Sequence, residues 1–233
     1  MNIMKILRIT GYLVLVLCLP VLLLSASLAW GFNSHWLYTY GFEKYEVSQA
    51  TGLPEAELNK IASALISYFN SDEEYISLYV TAQGRTFELF TPEEKIHFKD
   101  VKGLVQLDYK VFYISLALVV IIAFLAVISD FRQNWRNLAK AFIWGSVLSI
   151  VFIIIIAVAS FFNFDNLFLQ FHLLAFTNEH WSAQGYMLLL FPGGFWYNAA
   201  FICIGMMAGL SLIWGSLSFL FLKLDDRRKN KMH

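Results

Sequence analysis

Four apolar runs, at residues 9–32, 111–129, 141–162 and 199–222, punctuate the chain, and none of them contains Asp, Glu, Lys or Arg. Each is long enough, at 1.5 Å per residue, to cross a hydrocarbon core of ~30 Å. The pattern therefore predicts four transmembrane helices. Between the first two runs the pattern changes to that of a small soluble domain. Leu58, Ile61, Leu65 and Phe69 recur at helical spacing, which predicts an amphipathic helix starting near residues 51–54. After a turn at Ser71-Asp72-Glu73-Glu74, the alternation in YISLYVTA and GRTFELF predicts a hairpin around Gln83-Gly84. Thr91-Pro92-Glu93-Glu94 then marks a helix start, with an N-cap hydroxyl, a proline at the first helical position and a capping-box glutamate at the third.

The connection between the third and fourth runs is unusual. Residues 163–197 are strongly apolar and include no Lys or Arg. A long loop of this kind is expected to fold into short helices at a membrane interface, one of them over residues 166–176 with Asp165 as its N-cap. Pro192-Gly193-Gly194 then turns the chain into the last span through Phe195, Trp196 and Tyr197, an aromatic set suited to headgroup depth. The fold class is a mainly α membrane protein with four transmembrane helices, a small α+β domain outside the membrane and an interfacial helical loop. The expected division is 1–32 for the N-terminus and first span, 33–109 for the domain, 110–130 for the second span and 131–140 for a connection. The third span follows at 141–162, the interfacial loop at 163–197, the fourth span at 198–222 and a tail at 223–233.

Composition agrees with this class: 58% of residues are hydrophobic and only 15% charged, against about a quarter charged in soluble domains. Zero formal net charge, and no basic cluster interleaved with aromatics, exclude nucleic acid as a partner. Charge also sets orientation. Lys5, Arg8, Arg132, Arg136, Lys140, Lys223, Arg227, Arg228, Lys229 and Lys231 flank the spans on one side, which the positive-inside rule makes cytoplasmic, with both termini inside. Both large connections then lie outside. Ser27-Leu28-Ala29 resembles a cleavage site, but the first run is longer than a signal core and ends in Trp30, so a retained span is expected. Cys18 and Cys203 fall within apolar runs and read as small hydrophobes, not as a disulfide. Gly205 and Gly209 offer a small-residue packing face in the last span.

The candidate chemistry is sparse. No G-x-S-x-G, H-E-x-x-H, C-x-x-C, P-loop or dinucleotide turn occurs, and the spans hold none of the ionisable residues that mark transport pathways. The histidines remain. His97 has Glu93 four residues before it and Asp100 three after, either of which can orient the ring or stabilise an imidazolium, though a solvated helix histidine fits the same spacing. His172 lies among Phe168, Phe171 and Phe176, as a site of chemistry or as a satisfied buried histidine. Together with His35 and His180 these match no zinc-ligand spacing, and neither a metal nor another cofactor is expected.

The blocks YEVSQATGLPEAELNKIASALISYFN, FTPEEKIHFKDVKGLV, QFHLLAFTNEHW and LFPGGFW, in that order, resemble the bacterial membrane protein family that includes lipoprotein intramolecular transacylase, Lit. The resemblance covers most of the chain outside the spans. It implies four spans in the cytoplasmic membrane and an extracytoplasmic site where two histidines act, by block His97 and His172. It also implies a reaction in which the sn-2 acyl chain of a diacylglyceryl-cysteine moves to the α-amino group of that cysteine, giving a lyso-form lipoprotein. The expected partners are then a diacylated lipoprotein substrate and membrane lipids. Glu93 and Asp100 are expected to support the histidines, with Phe168, Phe176, Trp181, Phe191 and Trp196 walling the substrate at the interface. Two other readings stand beside it: a non-catalytic scaffold or receptor for an envelope partner, and a lipid acyl hydrolase using the same histidines on water.

Overall fold

A computed structural model of the chain describes residues 3–129 and 131–230. Residue 130, the expected end of the second span, and Lys231 lie outside the described residues, as do the side chains of Lys5, Arg132 and Lys229. The elements in order are α1 (Ile3–Asn33), α2 (His35–Lys44), α3 (Val47–Thr51), α4 (Glu55–Phe69), β1 (Tyr79–Ala82), β2 (Arg85–Glu88) and α5 (Pro92–Ser129). They are followed by α6 (Phe131–Ala175), a 3₁₀ turn (His180–Ser182), α7 (Tyr186–Leu190) and α8 (Gly193–Asn230). Among the described residues, α1, α5, α6 and α8 are the four helices long and apolar enough to cross a membrane.

The four helices outrun the apolar segments that announced them. The chain has no proline between Pro92 and Pro192, so a helix capped at Thr91 meets no breaker before its end. The capped helix and the second span are accordingly one 38-residue helix, roughly 57 Å at 1.5 Å per residue. A ~30 Å hydrocarbon core takes only about 20 of those residues, and the charge-free run at 111–129 supplies them. The stretch that begins at Pro92, carrying Glu93, Glu94, Lys95, Lys99, Asp100 and Lys102, stands outside it. Residues 131–140, expected as a connection, belong to α6.

The chain forms two compact units. One comprises Met1–Ser27, Tyr109–Ala157 and Cys203–His233. Its core is Leu19, Leu23, Ile153 and Met207, with Phe142, Ile150, Ile204 and Ala208 packed around them. Large apolar side chains such as Leu17, Ile121, Ile155 and Phe219 are exposed on its outside, as a lipid-facing surface requires. Three buried hydroxyls bond the preceding turn: Ser27 donates to the Leu23 carbonyl, Ser149 to that of Gly145 and Ser211 to that of Met207. The close helix approach falls at Gly145, where a Cβ would lie 2.9 Å from Leu19 Cδ2, beside the turn in which Pro20 has no proton to give the Val16 carbonyl. Among the described residues a Cβ at Gly205 or Gly209, the expected packing face, would meet nothing within 4 Å, so neither glycine is a point of close helix approach. Composition alone cannot tell which side of a helix its neighbour occupies.

The second unit comprises Leu28–Asp108 and Val158–Ile202. Leu58, Ile61, Leu65 and Phe69 of α4 are buried, as their spacing predicts. The hairpin pairs β1 with β2 antiparallel, Ala82 opposite Arg85, and both turn residues have positive φ (51° at Gln83, 74° at Gly84). This is the twist-matched two-residue turn, in which glycine is favoured at the second position. Helix α2 has no counterpart in the expected elements. Its sequence, HWLYTYGFEK, is aromatic without a clear period, and the one local signal is Ser34, whose side chain accepts from Leu37 N.

Candidate active site

The site is built within the second unit from the first turns of α5, the last turns of α6 and the chain that follows. Thr91 and Glu94 close the capping box reciprocally: Thr91 N donates to Glu94 Oε2 at 2.8 Å, and Glu94 N donates to Thr91 Oγ1 at 3.3 Å. This fixes the start of α5 and puts His97 in its second turn, buried at 8% exposure. Helix α6 kinks at Asn163 (φ −160°, ψ 75°), and Asn163 Oδ1 accepts from Asn166 N at 3.0 Å. The cap of the last segment is therefore Asn163 and not Asp165, because it is the Asn163 side chain that takes a free amide of the first turn. His172 follows in this segment, buried at 6% exposure.

The two imidazoles face one another. Their ring centroids are 6.1 Å apart and their planes 26° from parallel. At this separation the two rings are near neighbours. Aromatics enclose them: Phe176 lies 4.9 Å from His97, and Phe168 and Trp181 lie 4.3 and 5.0 Å from His172. Both histidines line a cavity of about 260 Å³ with Phe168, Trp181, Met187, Leu188, Phe191 and Trp196. Phe176 is not among the lining residues, though its ring packs against both imidazoles.

The environments of the two rings differ. His172 Nδ1 is 2.7 Å from the Phe168 carbonyl. A carbonyl only accepts, so Nδ1 carries the proton, and in the neutral ring Nε2 presents its lone pair. His97 Nδ1 is buried and has no hydrogen-bond partner among the described residues. Burial, reinforced by the nearby His172, pulls the His97 imidazole down to about 4, against a smaller upward pull from Asp100. His97 is thus neutral at pH 7, and an imidazolium role for it is disfavoured.

The expected supporting carboxylates separate. Glu93 is exposed, and neither it nor Asp100 bonds His97 Nδ1. Asp100 Oδ2 instead accepts from Asn178 Nδ2 at 2.8 Å, tying α5 to the chain after α6. Among the described residues, the completely buried carboxylate is Glu94. It was legible only as a cap. His35 Nε2 lies 3.3 Å from the Asn59 carbonyl. Among the described residues, no three His, Cys, Asp or Glu side chains converge as metal ligands.

Two contacts hold the turn that closes the cavity. Tyr45 hydroxyl donates to the Gly194 carbonyl at 2.6 Å, and Gly41 of α2 is pressed against the Phe195 ring. A Cβ at Gly41 would lie 2.2 Å from Phe195 Cδ2. Gly41→Ala is expected to lower stability by about 1–3 kcal/mol through overpacking. Gly103→Ala, where a Cβ meets nothing within 4 Å, is the control. Thermal midpoints of the two purified variants test this, and equal midpoints would show that Phe195 yields without cost.

Fold and site together define a multi-spanning membrane protein with a paired-histidine cavity. The comparison with known proteins narrows this class. The chain belongs to the family of lipoprotein intramolecular transacylase Lit, an enzyme family whose sequence model matches residues 13–196. The solved structure of membrane-integral Lit from Bacillus cereus is similar over 98% of this chain and 100% of that one, with a TM-score of 0.80 and 21% identity. A variant of that protein with a histidine replaced by arginine gives a TM-score of 0.76 at 20% identity, covering 97% of this chain and 96% of that one. A histidine-to-alanine variant gives 0.75 at 20% identity, covering 99% and 98%. At these identities the likeness is one of fold. No curated protein sequence matches the chain.

Proposed function

We propose that this protein transfers the sn-2 acyl chain of a diacylglyceryl-cysteine lipoprotein to the α-amino group of the same cysteine, with His172 as general base and His97 as hydrogen-bond donor. The observation that carries the proposal is the facing pair of buried imidazoles, 6.1 Å apart, inside an apolar cavity. An α-amine has a reference pKa near 8 and is largely protonated at neutral pH, so only its neutral fraction can attack. His172 Nε2 takes the proton that the amine loses as its nitrogen bonds to the ester carbon. A neutral His97 N–H stabilises the oxyanion in the cavity's low dielectric. His172 then gives that proton to the departing sn-2 oxygen as the ester C–O bond breaks. No serine nucleophile is needed, because amine and ester belong to one molecule and intramolecular placement supplies effective molarities of ~10⁵ M or more.

The basic residues Arg8, Arg136, Lys140, Arg227 and Arg228 favour cytoplasmic termini, and with the family they support a place in the bacterial cytoplasmic membrane with an extracytoplasmic site. The 260 Å³ cavity is smaller than the ~300–1,000 Å³ that encloses a drug-sized ligand. It suits the glyceryl ester and the amine, and leaves the acyl chains to lipid alongside exposed side chains such as Leu173 and Leu174. The test is mass spectrometry of lipoprotein N-terminal peptides from a host without N-acylation, with and without this gene. The expected product is an N-acyl, S-monoacylglyceryl cysteine. A hydrolase releases free fatty acid without N-acyl product, a scaffold changes nothing, and either result refutes transfer.

A further inference from the structure

Glu94 is completely buried one turn before His97, and the reaction above gives it no part. A buried carboxylate carries a large desolvation cost unless hydrogen bonds offset it. Two do. Oε2 accepts from Thr91 N at 2.8 Å, and Oε1 accepts from Met187 N at 2.6 Å. The first bond is ordinary capping. The second joins residues 93 apart in sequence, and α5 would be capped without it. The backbone before Met187 is drawn in equally tightly: a Cβ at Gly185 would lie 2.4 Å from Oε1, so any larger residue there pushes chain and carboxylate apart. Met187 and its neighbour Leu188 form part of the cavity wall that His97 also lines. One carboxylate therefore ties the start of the helix that bears His97 to the Met187 stretch of the same wall.

We infer that Glu94 is a positioning residue, a strut that sets the Met187–Leu188 wall against His97 and keeps water away from the ester, so that the amine is the nucleophile. This rests on the acyl-transfer reading. Without the strut the wall loosens, water reaches the ester carbon, and its oxygen forms the new bond in place of the amine nitrogen. The ester C–O bond breaks as before, giving free fatty acid and an S-monoacylglyceryl cysteine with a free amine.

The test uses the full chain in the host lacking N-acylation, with Glu94→Gln, Gly185→Ala and Thr91→Ala compared per molecule of folded protein. Glutamine has one carbonyl oxygen, so it can accept from one of the two amides and turns its NH₂ donor toward the other. Gly185→Ala strains the strut and leaves the capping residues intact, and it decides the matter if Glu94→Gln does not accumulate. Thr91→Ala removes the cap hydroxyl alone. Glu94→Gln and Gly185→Ala are expected to lower N-acyl product roughly 10- to 100-fold and to raise the free-amine monoacyl peptide, while Thr91→Ala keeps the intact chain's product ratio. Unchanged ratios of N-acyl to free-amine product in Glu94→Gln and Gly185→Ala would overturn the inference, even if total product falls. Absence of N-acyl product from the intact chain would instead refute the transfer reading beneath it.

Discussion

Replacing His172 with alanine is expected to lower N-acyl product by about 10²–10⁴-fold, the range that general acid–base catalysis supplies. His97→Ala is expected to cost about 10²–10³-fold, the range for a lost oxyanion donor. Alanine removes the ring in both cases, and the glutamine variants separate the roles. His97→Gln still offers an uncharged N–H donor in a position that the structure indicates is neutral, so part of the activity returns. His172→Gln has no titratable lone pair to accept the amine proton, so activity stays at the alanine level. The asymmetry follows from the hydrogen bond between His172 Nδ1 and the Phe168 carbonyl, which fixes one tautomer, and from the burial that holds His97 near 4. Product formation by the same two glutamine variants reads it out. Activity recovered in His172→Gln and absent in His97→Gln would exchange the roles, and full activity in both would remove the imidazoles from the reaction.

The sequence made the spans and the local starts legible, because both are written in short patterns. Charge-free runs, the Leu58–Ile61–Leu65–Phe69 stripe, the Gln83-Gly84 turn and the Thr91–Glu94 box each need only a few neighbouring residues. The fused length of α5 was less legible, since the charge change near Lys110 looks like a domain boundary although a helix passes through it. Within the site, His97 and His172 were legible as candidates and took their shared role from the family resemblance, and their approach could not come from spacing, because two bilayer spans lie between them in sequence. Glu93 was favoured over Glu94 by its position four residues before His97. The fold instead turns Glu93 to solvent and buries Glu94, whose Oε1 accepts from the amide of Met187, a backbone group that no side-chain pattern announces. The same holds for Gly185, Gly41 and Gly194, whose smallness matters only where another chain segment touches them.

Acidification is expected to destabilise the protein through His97, and the sign follows from its burial. The unfolded imidazole takes up its proton near 6.5, whereas the folded one resists until about 4. Between those values the unfolded chain binds more protons, so stability falls as pH falls. The contribution of the neutral buried ring is fully present above about pH 6.5 and is lost progressively toward pH 4, at a total cost on the order of 3 kcal/mol at 1.36 kcal/mol per unit. His172 and His180 work in the same direction on His97, and Asp100 opposes them. Carboxylates elsewhere also titrate over this interval, so the measurement is a difference. Thermal midpoints of the purified protein and of His97→Gln are followed from pH 7.5 to 4.5 in the same detergent. The parent is expected to lose several degrees more than the variant. Parallel curves would mean that the folded protein accommodates a charged His97, and an imidazolium would then again be open as the group that meets the oxyanion.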